Sequence, residues 1–172
     1  MRILCLMSRL PYPPNRGDRL RAFHIVEHLA AHHQITLLSF IADNRERQHL
    51  PALRTYCDKV EVVHLPSIRS AASVATNAWR RAPLQALYYR SRAMSRLVAD
   101  TVAAAHFDAA YVHLFRMAPY AVPLSHLYRV VDLTDAISAE IDLSLPYRRT
   151  VSRILYRLEA PRIARYECWV AR

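Results

Sequence analysis

The stretch Arg2-Ile-Leu-Cys-Leu-Met-Ser8, continued by Arg9-Leu-Pro-Tyr-Pro-Pro-Asn-Arg-Gly-Asp-Arg-Leu-Arg21, decides how this chain folds. Its first half is an unbroken apolar run around β-branched Ile3, the pattern of a buried strand. Its second half is a proline-rich loop ending at Asp18, an N-cap residue ahead of apolar positions at helical spacing. The unit is therefore strand, loop, helix. Gly17 lies at the junction and is the only glycine among 172 residues. A glycine there suits a backbone with φ > 0 or the close approach of a ligand; the plainer reading is a loop with one necessary turn residue. The N–H groups that open a helix, backed by its dipole and flanked by Arg16, Arg19 and Arg21, suit an anionic group such as a diphosphate.

Downstream of this unit, the helix over 18–31 carries Ala22, Ile25, Val26 and Leu29 on its apolar face. His24, His28 and His32 recur on roughly the opposite side. With no carboxylate or cysteine arranged beside them, they read as a solvated face rather than a metal site. A second strand over 34–41 has little polar alternation, the mark of burial on both faces in a parallel sheet. Asp43 or Asn44 caps a helix over 45–57, and Pro66 closes a third strand over 59–65. Strand and helix thus alternate β-α-β-α-β, and right-handed crossovers make that a parallel, doubly wound α/β sheet.

Residues 67–105 are helical in composition but broken at Pro83, which predicts helices over 68–80 and 85–106. Between Ile68 and Val98 lie Arg69, Arg80, Arg81, Arg90, Arg92 and Arg96 with no acidic residue. Trp79, Leu84, Leu87, Tyr88, Tyr89 and Met94 are interleaved with them, a basic aromatic surface of the kind that lies on anionic membranes. The alternative is that the apolar members are core and the arginines merely solvated. Strands over 107–113 and 128–133 follow. In an open α/β sheet the ligand crevice lies beyond the C-terminal strand ends, which sets His113, Asp132 and Asp135 near the Gly17 loop. His113 is a candidate base or sugar-hydroxyl partner, and Asp132 or Asp135 can do the same work, each having a structural role as its alternative. The last stretch, 146–172, reads as a basic helix with Val151, Ile154, Leu155 and Leu158 on one face, kinked or restarted at Pro161.

Composition narrows the classes. At 53% hydrophobic residues and without low-complexity runs, the chain is expected to form one globular domain. Cys5, Cys57 and Cys168 are odd in number and widely spaced, so neither a disulfide framework nor a zinc cluster is indicated. With a first strand starting at residue 2, a reducing, cytoplasmic setting is expected. No stretch approaches the roughly 20 apolar residues of a membrane span. The net charge of +10 is almost wholly arginine, since Lys59 is the only lysine, and arginine suits phosphate recognition. Nucleic acid is not expected as a partner, because no reading-helix or RNA-binding signature accompanies the charge. There is no Gly-x-Gly-x-x-Gly, Walker loop, Gly-x-Ser-x-Gly elbow, His-Glu-x-x-His helix or Cys-x-x-Cys pair.

Several stretches together resemble the N-terminal half of a GT-B glycosyltransferase of family four. They are Arg2-Ile-Leu-Cys-Leu6, Pro11-Tyr-Pro-Pro-Asn-Arg-Gly-Asp-Arg-Leu-Arg-Ala-Phe-His24 and Leu29-Ala-Ala-His-His-Gln-Ile-Thr-Leu-Leu-Ser-Phe40. Tyr88-Tyr-Arg-Ser91, Met117-Ala-Pro-Tyr120, Arg129-Val-Val-Asp-Leu-Thr-Asp135 and the helix from Glu159 to Glu167 extend the likeness. The Pro-Tyr-Pro-Pro and Gly-Asp-Arg combination resembles the subgroup found with exosortase-linked exopolysaccharide systems. The resemblance implies a Rossmann-like domain and retaining transfer from a nucleotide-sugar donor to a lipid-linked or polysaccharide acceptor, without a metal or other cofactor. It implies that Arg16, Gly17 and Arg19 meet the diphosphate and that His113 lies at the end of the fourth strand. Many relatives have a glycine pair where this chain has Asn-Arg before Gly17, and Leu114-Phe-Arg116 is not the usual pattern after the histidine. The donor-binding C-terminal domain is not in these 172 residues, so this stretch alone is expected to be inactive. A different class of function, a noncatalytic module docking on an anionic membrane or a partner through the arginine-rich helices, is the alternative.

Overall fold

Strands β1 (Arg2–Met7), β2 (Gln34–Ile41), β3 (Lys59–His64), β4 (Ala109–His113) and β5 (Tyr128–Asp132) pair in the order β3-β2-β1-β4-β5, every neighbour parallel. The computed structural model describes residues 1–77, 79, 82–147 and 150–171; Arg80 and Arg81 lie outside the described residues, and of Arg69 only the backbone is described. The first strand explains the layers. Its alternate residues Ile3, Cys5 and Met7 enter one core with Ala22, Phe23 and Val26, while Leu4 and Leu6 enter a second with Met94 and Val98. Both faces of a central parallel strand are covered, which is why its sequence shows no polar alternation. The result is a Rossmann-like, doubly wound α/β fold.

Helices α1 (Gly17–Ala30) and α2 (Leu50–Leu53) contribute to the first core. On the other side lie α3 (Ser67–Asn77), α4 (Leu84–Tyr88), α5 (Arg92–Ala104) and α6 (Ala118–Ala121), of which α5 and α6 supply much of the second core. Two further helices, α7 (Ile137–Ser144) and α8 (Thr150–Val170), pack against each other after β5. The chain runs outward from β1 to β3, then crosses to β4 and β5 on the far side of β1. That reversal between β1 and β4 creates a crevice at their C-terminal ends.

Several expectations are corrected. Residues 45–57 form not one helix but a 3₁₀ stretch, Asn44–His49, followed by α2. Asp43 caps the 3₁₀ stretch in a reciprocal box with Glu46. The helix expected over 85–106 is split into α4 and α5. Tyr120 makes the break: its hydroxyl donates to the Tyr89 carbonyl and accepts the Ser91 N–H at 2.8 Å, satisfying backbone groups the helix no longer pairs. Ser91 then caps α5 by accepting from the Met94 N–H. Helix α7 has no counterpart among the elements expected from the sequence. Pro161 neither ends nor restarts α8. Two glutamates pin that helix on either side of the proline: Glu159 accepts from the Leu84 N–H at 2.8 Å, and Glu167 from the Ser138 hydroxyl at 2.5 Å.

On the basic stretch, Leu87, Tyr89 and Met94 are buried in the fold, whereas Ile68 and Trp79 are exposed together with Arg90, Arg92 and Arg96. No helix among the described residues is long and apolar enough to cross a membrane. His24, His28 and His32 are exposed, as a solvated face requires, although a carboxylate does stand beside the first: His24 Nδ1 is 3.0 Å from Glu27 Oε2. Among the described residues no group of three His, Cys, Asp or Glu is placed to hold a metal.

Candidate functional site

Two clefts open at the C-terminal ends of the strands, one on each side of the first turn of α1. The larger, about 800 Å³, is lined by Arg9, Arg16, Arg19, Arg116 and Glu46 among others. The smaller, about 530 Å³, is lined by Gly17, Asp18, Thr134, Asp135 and Glu140. Arg116 and Gln85 line both. Consecutive residues of the opening loop thus face different clefts: Arg16 the larger, Gly17 and Asp18 the smaller, Arg19 the larger again.

The start of α1 differs from expectation in a way that matters. Asp18 is not the N-cap; Arg16 holds that position with an extended backbone and no side-chain cap, and the helix begins at Gly17. Asp18 instead lies in the first turn, where its charge complements the helix dipole, 3.4 Å from Arg9 Nη1. Gly17 is exposed and does not have positive φ, so neither a left-handed conformation nor a tight turn accounts for it. A Cβ at this position would meet nothing within 4 Å.

Positive charge dominates the larger cleft. Arg9 Nε donates to Tyr89 Oη at 3.3 Å, and the Arg116 guanidinium lies 5.2 Å from the centre of the same ring, a cation–π contact. Arg116 Nε is buried and has no hydrogen-bond partner among the described residues. Burial lowers the pKa of Arg116, Tyr89 opposes this, and the nearby charge of Arg9 adds to the lowering. Arg9 also reaches Asp18, whereas Arg116 has no ion-pair partner within 4.0 Å among the described residues, an incompletely compensated charge that an anion relieves. Arg19 is more fully engaged, its Nη2 lying 2.9 Å from Glu46 Oε2. Arg16 is exposed and free to reach a ligand.

The smaller cleft carries the opposite balance: Asp18, Asp135 and Glu140 against Arg116 alone. Two of its residues, Leu114 (φ 71°) and Thr134 (φ 66°), hold the left-handed backbone that non-glycine residues avoid. Such positions cost on the order of 1 kcal/mol or more each and concentrate at functional sites.

The three strand-end candidates separate. Met7, His113 and Asp132 are register partners across β1, β4 and β5, so they share one level of the sheet. His113 is only 3% exposed and lines neither cleft, and its Nε2 has no hydrogen-bond partner among the described residues. Burial holds its pKa below the ordinary value, against the pull of Asp132, so the ring is neutral near pH 7. Asp132 is engaged throughout: Tyr111 Oη donates to it at 2.7 Å, the Thr134 N–H at 2.8 Å, and Arg21 Nη2 to both oxygens at 3.2 Å. Burial pushes that carboxyl up, but these partners outweigh it and hold it below the usual carboxylate value. Its geometry is that of a brace for the β5 end. Asp135 alone of the three lines a cleft.

Sequence reading missed Arg9, Gln85, Arg116 and Glu140. Arg9 had a usable signal, since it directly follows the β1 run. The other three reach the crevice only through packing across the chain. Family models, curated proteins and solved structures were all compared with the chain, and none matches.

Proposed function

We propose that this domain is the acceptor-side half of a retaining, nucleotide-sugar-dependent glycosyltransferase of GT-B organisation, acting in exopolysaccharide or other cell-surface glycan synthesis. The observation that carries the reading is the gathering of Arg9, Arg16, Arg19 and Arg116 in one cleft at the point where the strand order reverses. Guanidinium forks at that position suit a phosphate or diphosphate that fixes a substrate while its sugar end faces the reaction. Transfer needs a second, donor-binding domain to stabilise the leaving diphosphate, so this stretch by itself binds rather than turns over. Arg16 and Gly17 at the diphosphate, with Asp135 orienting a hydroxyl, are the proposed roles for the exposed members of the site. His113 and Asp132 act through the shape of the crevice, and Arg19 through its pairing with Glu46.

The test is calorimetric titration of the chain with inorganic pyrophosphate at low and high ionic strength. Saturable binding that weakens with salt and is reduced at least about tenfold in Arg116→Ala is expected. Wild-type protein that takes up no heat, or a variant that binds equally well, removes the reading.

A second reading is favoured by the exposure of Ile68 (85%) and Trp79 (76%) and of Arg90, Arg92 and Arg96. It makes the helical side a peripheral surface for the inner membrane face of a cytoplasmic protein, through these residues with Arg69, Arg80 and Arg81. Flotation with phosphatidylglycerol vesicles, lost as salt rises, is the expected result. Protein that stays at the bottom of the gradient in all salts sinks it.

A further inference from the structure

Helix α4 divides its residues between two spaces. Leu84, Gln85 and Tyr88 line the larger cleft, whereas Ala86 and Leu87, on the opposite side of the turn, line a separate cavity of about 320 Å³. Residues of α4, α5, α6 and α8 enclose this cavity, and Tyr89, Tyr120 and Tyr166 bring three aromatic rings to it. Two of the rings are tied down: the Tyr120 hydroxyl donates to the Tyr89 carbonyl, and the Tyr89 hydroxyl accepts from Arg9. The charged residues of the cavity are Arg90 and Arg116, and none of the described residues lining it is a carboxylate. Neither arginine has an ion-pair partner within 4.0 Å among the described residues. Arg116 and Tyr89 also line the larger cleft, so one guanidinium and the ring beneath it serve both spaces.

We infer that this cavity binds a small aromatic carboxylate, a single ring packed among the three tyrosines with its carboxylate at Arg116. The volume stands at the low end of ligand pockets, with room for one ring and its substituents. Aromatic rings suit these walls because offset and edge-to-face pairs gain more than burial of area alone provides. The negative charge follows from two guanidinium groups without a counter-charge, and a planar carboxylate matches a guanidinium fork through two parallel hydrogen bonds. An inorganic anion makes no use of the tyrosine walls. A sugar finds no carboxylate or amide side chain among the described lining residues to accept from its hydroxyls. A ring that carries a carboxylate meets both the apolar and the charged part of the cavity. Sharing Arg116 then couples the two spaces: a carboxylate on that guanidinium weakens the hold of the larger cleft on a phosphate, and by linkage a phosphate weakens the carboxylate by the same factor. The coupling rests on the anion reading of the larger cleft, whereas the cavity site does not.

The experiment titrates the full chain calorimetrically with benzoate, with uncharged benzamide and with cyclohexanecarboxylate, which puts the same charge on a saturated ring. Saturable benzoate binding is expected, at least about tenfold tighter than benzamide and several-fold tighter than cyclohexanecarboxylate. Arg116→Ala removes the preference over benzamide, and Ala86→Leu, which fills the cavity from α4, weakens all three ligands. Should Ala86→Leu fail to fold, Tyr166→Leu, which takes away one aromatic wall, decides in its place with the same expected loss. Repeating the benzoate titration at rising pyrophosphate separates the two spaces: the apparent benzoate affinity falls about five- to tenfold and then levels off. A fall that continues without limit puts benzoate in the larger cleft and overturns the inference. No benzoate binding, equal affinity for benzoate and either comparison ligand, or binding undiminished in the cavity variants also overturns it. Benzoate affinity untouched by bound pyrophosphate overturns the placement of the carboxylate at Arg116. If pyrophosphate does not bind, the anion reading alone is lost, and the three ligands and the variants still decide the cavity.

Discussion

The two clefts at the crest of the sheet are built from the same loop yet are opposite in kind. The larger is lined by four arginines and Glu46, and its guanidinium groups crowd around Tyr89. The smaller is lined by Asp18, Asp135 and Glu140, with Arg116 reaching in from the rim. They also differ in how they are held. The larger cleft is walled by the ends of β1 and β2 and by α4, whereas the smaller depends on the turn after β5 and on one carboxylate brace, Asp132. Charge sorting of this kind happens where helix α1 starts, because neighbouring residues at a helix start project to different sides.

The comparison breaks most decisively at the brace. Asp132→Ala removes the acceptor for Tyr111, Arg21 and the Thr134 N–H together, and the expected loss is about 2–3 kcal/mol of folding stability by denaturant titration. If the clefts are independently supported, the affinity for pyrophosphate in the larger cleft changes little in the same variant.

Arg116 tests the reverse dependence. Its removal is expected to weaken pyrophosphate binding about tenfold, or roughly 1.4 kcal/mol, by calorimetry, because it takes a charge from both sides of the rim. An unchanged affinity removes the reading of the larger cleft as an anion site.

His113 is buried at the end of β4 and lines neither cleft, within reach of the charges of Asp132, Arg116, Asp18 and Arg21. Burial lowers its pKa from the ordinary 6.5, so the unfolded chain binds a proton that the folded chain refuses. This contribution is fully present above 6.5 and is lost as pH falls from there toward the folded value. The slope is at most about 1.4 kcal/mol per pH unit. Chemical-denaturation curves of the wild type and His113→Gln, taken at pH 7 and below, are expected to show a shallower acid loss in the variant. Equal losses in the two proteins place the acid sensitivity elsewhere.

The smallest effect concerns strain. Thr134 at φ 66° is a β-branched residue in the left-handed region, so Thr134→Gly is expected to stabilise the fold by up to about 1 kcal/mol. A destabilised variant shows that the threonine side chain holds the turn by more than its backbone strain costs. Leu114, with a similar φ but a buried side chain, is not expected to gain from the same change, since the lost packing offsets the relief.

Much of the frame is legible in the amino-acid sequence. Strand β1 follows from its apolar run and β2 from its own, because a strand buried on both faces writes its environment into consecutive residues, whereas β3 is an edge strand in which only Val60 is buried. The importance of the loop after β1 follows from the rule that ligand crevices lie at the C-terminal ends of parallel strands. The N-cap of α1 is easily misplaced at Asp18, since an acidic residue in the first turn favours a helix start almost as an N-cap does. The break at Tyr89–Ser91 is not legible, because the hydroxyl that sustains it belongs to Tyr120, about thirty residues on.

What the amino-acid sequence determined by itself is therefore the part carried by neighbours: strand positions, parallel order, an arginine-rich chemistry and a lone glycine at the crest. What only the tertiary structure decided is which of those arginines remain uncompensated. Arg19 is drawn to Glu46, Arg21 to Asp132 and Arg9 to Asp18, while Arg116 lies over the Tyr89 ring with no ion-pair partner within 4.0 Å among the described residues. The reason is physical. Hydrophobic periodicity is a local property that a short window contains, whereas charge compensation depends on pairings such as Arg21 with Asp132, 111 residues apart, that exist only after the sheet has closed.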